Sequence, residues 1–462
     1  MDGFSRQALA SVPLADAVLS VLAWITEPSF LQGVFEGHRA SSYEKALSFG
    51  SMVHLIGNAL LEHEGSAHRA MLHAQEREEL DASIQATYGK LRRIPISLSN
   101  GFLACTGDRL REAFPVRATA SLPASLRAFD MFAVDGKKLK GAAKRLKPAR
   151  RYSGTPLGGK VLVALDLRRG LVVAMNAHLD GETNDAPLIP DLLPQVRERG
   201  SRRRLWLADR QFCDLTQPAR FQEGNDAFLI RYHSKTKFHR DRKVQPVEGV
   251  DAEERRYREE WGWLGEPGGK RSLYVRHITL FRPGAEDIIL DTNLLDADQN
   301  PGTDLLDAYL MRWGIERVFQ QVTEVFHLQQ LISSTPQGTI FQCAFCLLLY
   351  NLIQVVRGYV AGAQRMQPEK ISSEMLFYDV HRELIALDVF VDRTAVIDYF
   401  KPTANVQQLV SRLESLLQNV WHDRWLKSPK KAPPRKLPKR KPIQGGHTSI
   451  YRILQAAERQ RK

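Results

Sequence analysis

FAVD (132–135), KVLVALD (160–166), LVVAMNAH (171–178) and RRLWLAD (203–209) all fall between Phe132 and Asp209, and their reading decides the fold. Each run is short and largely apolar, the second and third are rich in β-branched residues, and each ends on a polar or charged residue, the pattern of a buried strand. The turn from Asp166 to Gly170 joins the second and third runs as a hairpin. Between LVVAMNAH and RRLWLAD, Asn184 and Asp185 precede Pro187. Asp185 can cap a helix there and proline is tolerated in a first turn, so a helix is expected over IPDLLPQVRER (189–199), kept short by Pro190 and Pro194. FLIRYH (228–233) supplies a fifth strand. The fold class that follows is α/β.

Outward from this stretch the texture changes twice. Residues 1–115 carry apolar residues at three- and four-residue spacing in LADAVLSVLAWI, YEKALSFGSMVHLIGNALLEH and HAQEREELDASIQATYGKLRRI, and read as a helical domain. Residues 116–233 and 286–335 form the α/β domain, with DIILDTNLL (287–295) as its last strand and one long helix expected from Leu305 to Phe326. Residues 234–285 are polar, rich in charge and glycine, and contain strands such as LYVRHITLF (273–281), which predicts an inserted β-rich subdomain. A C-terminal helical region is expected over 336–426, and a basic tail over 427–462.

Bulk properties narrow the class. A chain of 462 residues accommodates two or three domains, and 43% apolar with 25% charged residues is the balance of a globular protein. The apolar runs fall short of the ~20 residues that span a bilayer, and no signal peptide is read at the N-terminus, so no membrane partner is expected. Cys105, Cys213, Cys343 and Cys346 are too few for a disulfide framework, and the Cys343/Cys346 pair lies in the apolar run FQCAFCLLLY, where burial in a helix is a better reading than zinc. The net charge is +13, of which +11 falls between Lys427 and Lys462, where twelve Lys or Arg face the single acid Glu458. That tail suits phosphate neutralisation, or solubility alone.

The chemistry rests on three acids. Asp135 and Asp209 each end an apolar strand, at the edge of an α/β sheet where side chains leave the core and ligands bind. Two carboxylates on neighbouring strands repel unless a divalent cation bridges them. On the long helix, Tyr309, Arg312, Glu316 and Thr323 fall on one stripe, while Ile315, Val318, Phe319 and Val322 form an apolar side that can pack on the sheet and bring Glu316 to the same edge. Each acid has a plainer reading. Asp135 and Asp209 can be turn residues, and Glu316 half of an ion pair with Arg312. His178, Asp180 and Glu182 share a loop and read as a solvated turn.

VDGKKLK at Asp135, LADRQFCD at Asp209, LDTNLL and YLMRWGIERVF, in that order, resemble the cut-and-paste DDE transposases of bacterial insertion sequences, the group (insertion sequence family four) marked by a Tyr–Arg–Glu–Lys signature. The resemblance covers about Phe132 to Phe326. It implies an RNase H-like catalytic domain with a β-rich insertion, in which Asp135, Asp209 and Glu316 hold two Mg²⁺ ions, replaceable by Mn²⁺, for phosphoryl transfer. It also implies double-stranded DNA partners (terminal inverted repeats and target), a homodimer bridging two ends, and a bacterial cytoplasm with nucleoid association. Tyr309 and Arg312 take the signature's DNA-contacting positions.

Lys137, Lys138 and Lys140, with Lys144, Arg145, Lys147, Arg150 and Arg151, form a basic run beside Asp135 suited to DNA, as does Arg210 beside Asp209. Trp261 or Trp263 in the insertion can stack on a flipped base or pack in a core. One departure stands out: DRQF resembles the family's Asp-Arg-Gly-Phe/Tyr run, but Thr323 stands where the signature has lysine. Threonine carries no charge, so a domesticated DNA-binding or regulatory protein with weakened catalysis is the alternative, and a general metal nuclease a third reading.

Overall fold

The structure is a computed structural model. It describes residues 3–460 apart from 45–46, 64–65, 116–119, 143, 151, 327, 329–332, 392–394, 397–398, 401–402, 404 and 429–445. Arg151 and most of the expected basic tail therefore lie outside the described residues.

The first seven helices are α1 (Gly3–Ala10), α2 (Pro13–Ile25), α3 (Pro28–His38), α4 (Phe49–Leu61), α5 (Ala67–Glu76), α6 (Ile84–Leu91) and α7 (Ile96–Ala113). Their starts follow local chemistry. Ser48, Ser66 and Ser83 accept backbone N–H groups at the N-termini of α4, α5 and α6, and proline opens α2 and α3.

One mixed sheet of ten strands organises the rest, with order β3-β2-β1-β4-β5-β10-β9-β8-β6 and β7 paired to β8. Its strands are β1 (Asp130–Lys140), β2 (Leu157–Asp166), β3 (Leu171–His178), β4 (Arg204–Ala208), β5 (Ala227–Arg231), β6 (Phe238–Arg240), β7 (Val247–Val250), β8 (Arg256–Leu264), β9 (Leu273–Leu280) and β10 (Ile288–Thr292). β1, β4 and β5 are parallel, and β2 and β3 return as the expected hairpin. The strands of the 234–285 stretch do not build a sheet of their own. β9 pairs with β10 over Ile288–Thr292, so they lengthen the central sheet.

Helices α8 (Ile189–Arg197) and α9 (Gln217–Phe221) fill the crossovers. α12 (Pro336–Ala363) is long and apolar enough to cross a membrane, yet its apolar window is wholly buried among α7, α2, β2 and β3. Asn351 on α12 accepts from Val172 N at 2.8 Å and donates to Val172 O at 2.7 Å, which satisfies backbone on the edge strand β3 and fixes α12 across it. Cys343 and Cys346 are buried on this helix. α13 (Ser373–Phe390) and the helix Val406–Leu417 pack back onto α2.

Three expectations need correction. β1 does not stop at Asp135 but runs five residues further, because its second half pairs with β2 after its pairing with β4 ends at Val134. The helix expected from Leu305 to Phe326 is two, α10 (Gly302–Met311) and α11 (Gly314–Glu324), since the chain tightens at Arg312–Trp313 into i→i−3 bonds.

The third concerns the C-terminus, which does not end as a tail. Gly446–Ser449 runs beside Thr155–Leu157, with Thr155 N donating to Gly446 O and Leu157 N to Thr448 O, and leads into a helix, Ile450–Arg459. Arg452 of that helix bonds Asp180 and Glu182, each at 2.7 Å, so the loop read as a solvated turn is its docking point.

Candidate active site

Where β4 ends, β1 continues. Val134 pairs with Ala208, so Asp135 and Asp209 are the next residue on each of two adjacent parallel strands, about 4.8 Å apart along the sheet. Asp209 is a strand-end acid as its sequence suggests; Asp135 is an acid in mid-strand at the point where its neighbour stops. Asp209 Oδ1 accepts from Gln211 N at 2.9 Å, and Asp135 Oδ1 accepts from Gly136 N at 2.8 Å.

Burial, with the charge of Asp209 added, pushes the Asp135 carboxyl up to about 7. Burial also raises Asp209. Two desolvated carboxylates of like charge make an expensive arrangement that a cation relieves.

The nearby cation is Arg312, whose guanidinium acts electrostatically on both acids. It is 5% exposed, its Nε has no hydrogen-bond partner among the described residues, and its Nη2 donates to Glu316 Oε1 at 3.1 Å. Glu316 therefore reaches the pair through Arg312. Among the described residues no three His, Cys, Asp or Glu side chains cluster closely enough to hold one metal ion. The donor set of Asp135 and Asp209 fits a divalent cation all the same: hard oxygens, half-buried, mutually repelling, with a third carboxylate, Glu316, on the arginine that neighbours them.

Tyr309 is 3% exposed; Arg312 lies 5.5 Å from its ring and acts on its hydroxyl. Thr323 donates its hydroxyl to Phe319 O at 2.6 Å, so it is turned back onto its own helix. Lys137 shares the face of β1 that carries Asp135 and donates to the same Phe319 carbonyl at 3.3 Å, which ties β1 to α11. Burial lowers the Lys137 ammonium below the ordinary lysine range. Lys138 and Lys140 are exposed, as are Arg145, Lys147 and Arg150.

Arg210 is exposed and lies 3.7 Å from Glu286. Trp261 and Trp263 stand apart from this cluster in β8, half-buried. Trp261 Nε1 donates to Leu295 O at 2.9 Å, and Trp263 packs edge-on against Tyr274.

The sequence reading gave Asp185 another role and passed over Lys160 and Trp313 beside the acids. Asp185 makes no capping hydrogen bond. Its carboxylate is buried, ion-paired with Lys160 of β2, and accepts from Gln211 Nε2 at 2.6 Å. The correction has a physical cause, since a buried ammonium outcompetes a local backbone N–H for a carboxylate. Trp313, 48% exposed between Arg312 and the start of α11, sits on the rim of the site. An aromatic next to the Arg of RWGIE was the available signal.

Comparison with known proteins places this site in context. Residues 127–352 match the family model described as the Transposase DDE domain. A solved piggyBac transposase synaptic complex with hairpin DNA is similar over 91% of this chain and 88% of that one, at 11% sequence identity and a TM-score of 0.38. No curated protein sequence matches the chain.

Proposed function

We propose that this chain, whose residues 127–352 match the model of the Transposase DDE domain, cuts transposon ends and joins them to target DNA, with Asp135, Asp209 and Glu316 as its catalytic acids. The observation that carries the reading is the half-buried Asp135–Asp209 pair at the point where β1 outruns β4, with Arg312, bonded to Glu316, beside it. The strand order β3-β2-β1-β4-β5 around that pair supports an RNase H-like domain.

Mg²⁺ or Mn²⁺ held by Asp135 and Asp209, with Glu316 completing the set, would polarise the scissile phosphate and activate the attacking oxygen. The chain's own residues do the rest. Arg312 neutralises the acids until DNA arrives and is a fork-shaped donor for a phosphate once Glu316 lets go. Tyr309 brings its hydroxyl to the same place, beside Arg312. Lys137 fixes α11 against β1, and exposed Lys138 and Lys140 extend the positive surface along the backbone of the duplex. Trp313, 48% exposed with Arg312 over its ring, offers an aromatic surface to an unstacked base. Two ends cut together would call for two copies of the chain.

A second reading is favoured by Thr323, which stands in place of a charged residue and is bonded to its own helix, and by the Arg312–Glu316 pair: a DNA-binding protein with weak or lost cleavage. The full chain is tested on a linear duplex containing the DNA that flanks its coding sequence, with Mg²⁺ or Mn²⁺. Nicks at defined end positions, abolished by Glu316→Ala, support the transposase. Tight binding without nicks supports the second reading, and cuts scattered irrespective of sequence support a general nuclease.

A further inference from the structure

The acids of the site are braced from behind by a charge pair that the reaction does not use. Side chains alternate along β1, so Gly136 faces away from Asp135, towards the opposite face of the sheet. A Cβ at position 136 would overlap the Asp185 carboxylate, which means that this carboxylate fills the space a side chain would occupy behind the strand. Asp185 is 2% exposed and Lys160 is 6% exposed, and they form an ion pair. The β1–β2 register opposes Lys160 to Lys138, two residues from Gly136 and on the same face, so the pair spans the back of β1.

Its second arm reaches the other acid. Gln211 donates its side-chain Nε2 to Asp185 Oδ2 at 2.6 Å while its backbone N–H donates to Asp209 Oδ1 at 2.9 Å. One residue thus holds both the acid at the end of β4 and the brace behind β1.

Resting on the catalytic reading above, we infer that Lys160, Asp185 and Gln211 are positioning residues that set the spacing between Asp135 and Asp209. β1 and β4 stop pairing at Val134–Ala208, so no ladder hydrogen bond ties Asp209 to Asp135, which stays paired with Val163 of β2. Gln211 and Asp185 supply the missing tie. A divalent cation demands its oxygens at fixed separation, and a ligand carried on an untethered loop must be ordered at the moment of binding. The brace does that ordering in advance. Glycine at position 211, which the resembling family has there, could not supply the side-chain bond.

The test is Mn²⁺ titration by calorimetry into the full chain, with thermal melting of the same samples. Gln211 is exposed, so Gln211→Ala and Gln211→Glu are expected to fold, with a melting point lowered by the lost bond to buried Asp185. Gln211→Ala is expected to weaken Mn²⁺ binding about tenfold, the usual cost of losing an outer partner of a metal ligand. Gln211→Glu, which sets a second carboxylate against Asp185, is expected to weaken it further. The paired change Lys160→Met with Asp185→Asn removes the buried charges together, leaves neither alone in the core, and is expected to reproduce the loss. Gln211 variants that fold and bind Mn²⁺ within twofold of wild type overturn the inference. A folded wild type that binds no Mn²⁺ overturns the metal reading and the inference with it.

Discussion

In the half of the sheet beyond β5, Glu259 accepts from Arg276 Nε at 2.6 Å, and Asp291 Oδ1 lies 2.7 Å from His277 Nδ1, all four inside the protein. In the half around β1 and β4, Asp135 has another acid, Asp209, as its main charged neighbour, and a single guanidinium serves both and Glu316 as well. Both halves pay for burying charge, but only the first returns each charge a partner. Acids matched one to one with bases are scaffold. Acids set against each other hold unrelieved free energy that a cation or a phosphate-bound metal can relieve on binding, and that is where chemistry is expected.

The contrast breaks if substitutions in the two halves act alike. The largest effect is expected for Asp135→Asn and Asp209→Asn, each lowering cleavage of end DNA on the order of 10³-fold or more while leaving the thermal midpoint unchanged or higher. Arg276→Met is expected to do the reverse. It strands Glu259 in the interior at a cost of about 3–5 kcal/mol, read as a lower denaturant midpoint, while molecules that remain folded still cut.

A pH series sharpens the difference. The folded chain keeps a proton on Asp135 up to about pH 7, whereas an unfolded aspartate releases it near pH 4. Between those values the folded state binds more protons, so this residue's contribution to stability falls as pH rises. Metal-free Asp135→Asn is therefore expected to match the wild type below about pH 4 and to exceed it by up to about 4 kcal/mol above pH 7. An equal gap at both ends of the series would contradict the assignment. The smallest effect is expected for Thr323→Lys, which adds one cation to α11: DNA affinity rises several-fold and the log–log salt slope steepens by about one, measured by fluorescence anisotropy across salt concentrations.

Local pattern carried part of this. The strand runs around Asp135 and Asp209 and the hairpin from Asp166 to Gly170 were legible because period and turn chemistry are local properties. What depended on partners was not. That β1 continues past Asp135 follows from its pairing with β2, and that β6 to β9 lengthen the main sheet follows from β9 meeting β10. Asp185 looked like a helix cap because its nearest polar partners in sequence are backbone groups, while its actual partners, Lys160 and Gln211, lie 25 and 26 residues away. The C-terminal helix was hidden by composition: the Pro- and Lys-rich stretch before it drew the reading, although Ile450, Ile453, Leu454 and Ala457 recur at helical spacing. Glu316 was placed on a helix, as found, but its bond to Arg312 is a matter of side-chain rotamer that sequence does not encode.

The account stands on Asp135, Asp209 and Glu316 serving one divalent cation site. Anomalous diffraction from crystals of the full chain soaked in Mn²⁺ addresses this most directly. The expected map has Mn²⁺ between the Asp135 and Asp209 carboxylates, with Glu316 released from Arg312 and turned towards the metal. Mn²⁺ absent from these two carboxylates, with Glu316 still on Arg312, would contradict it.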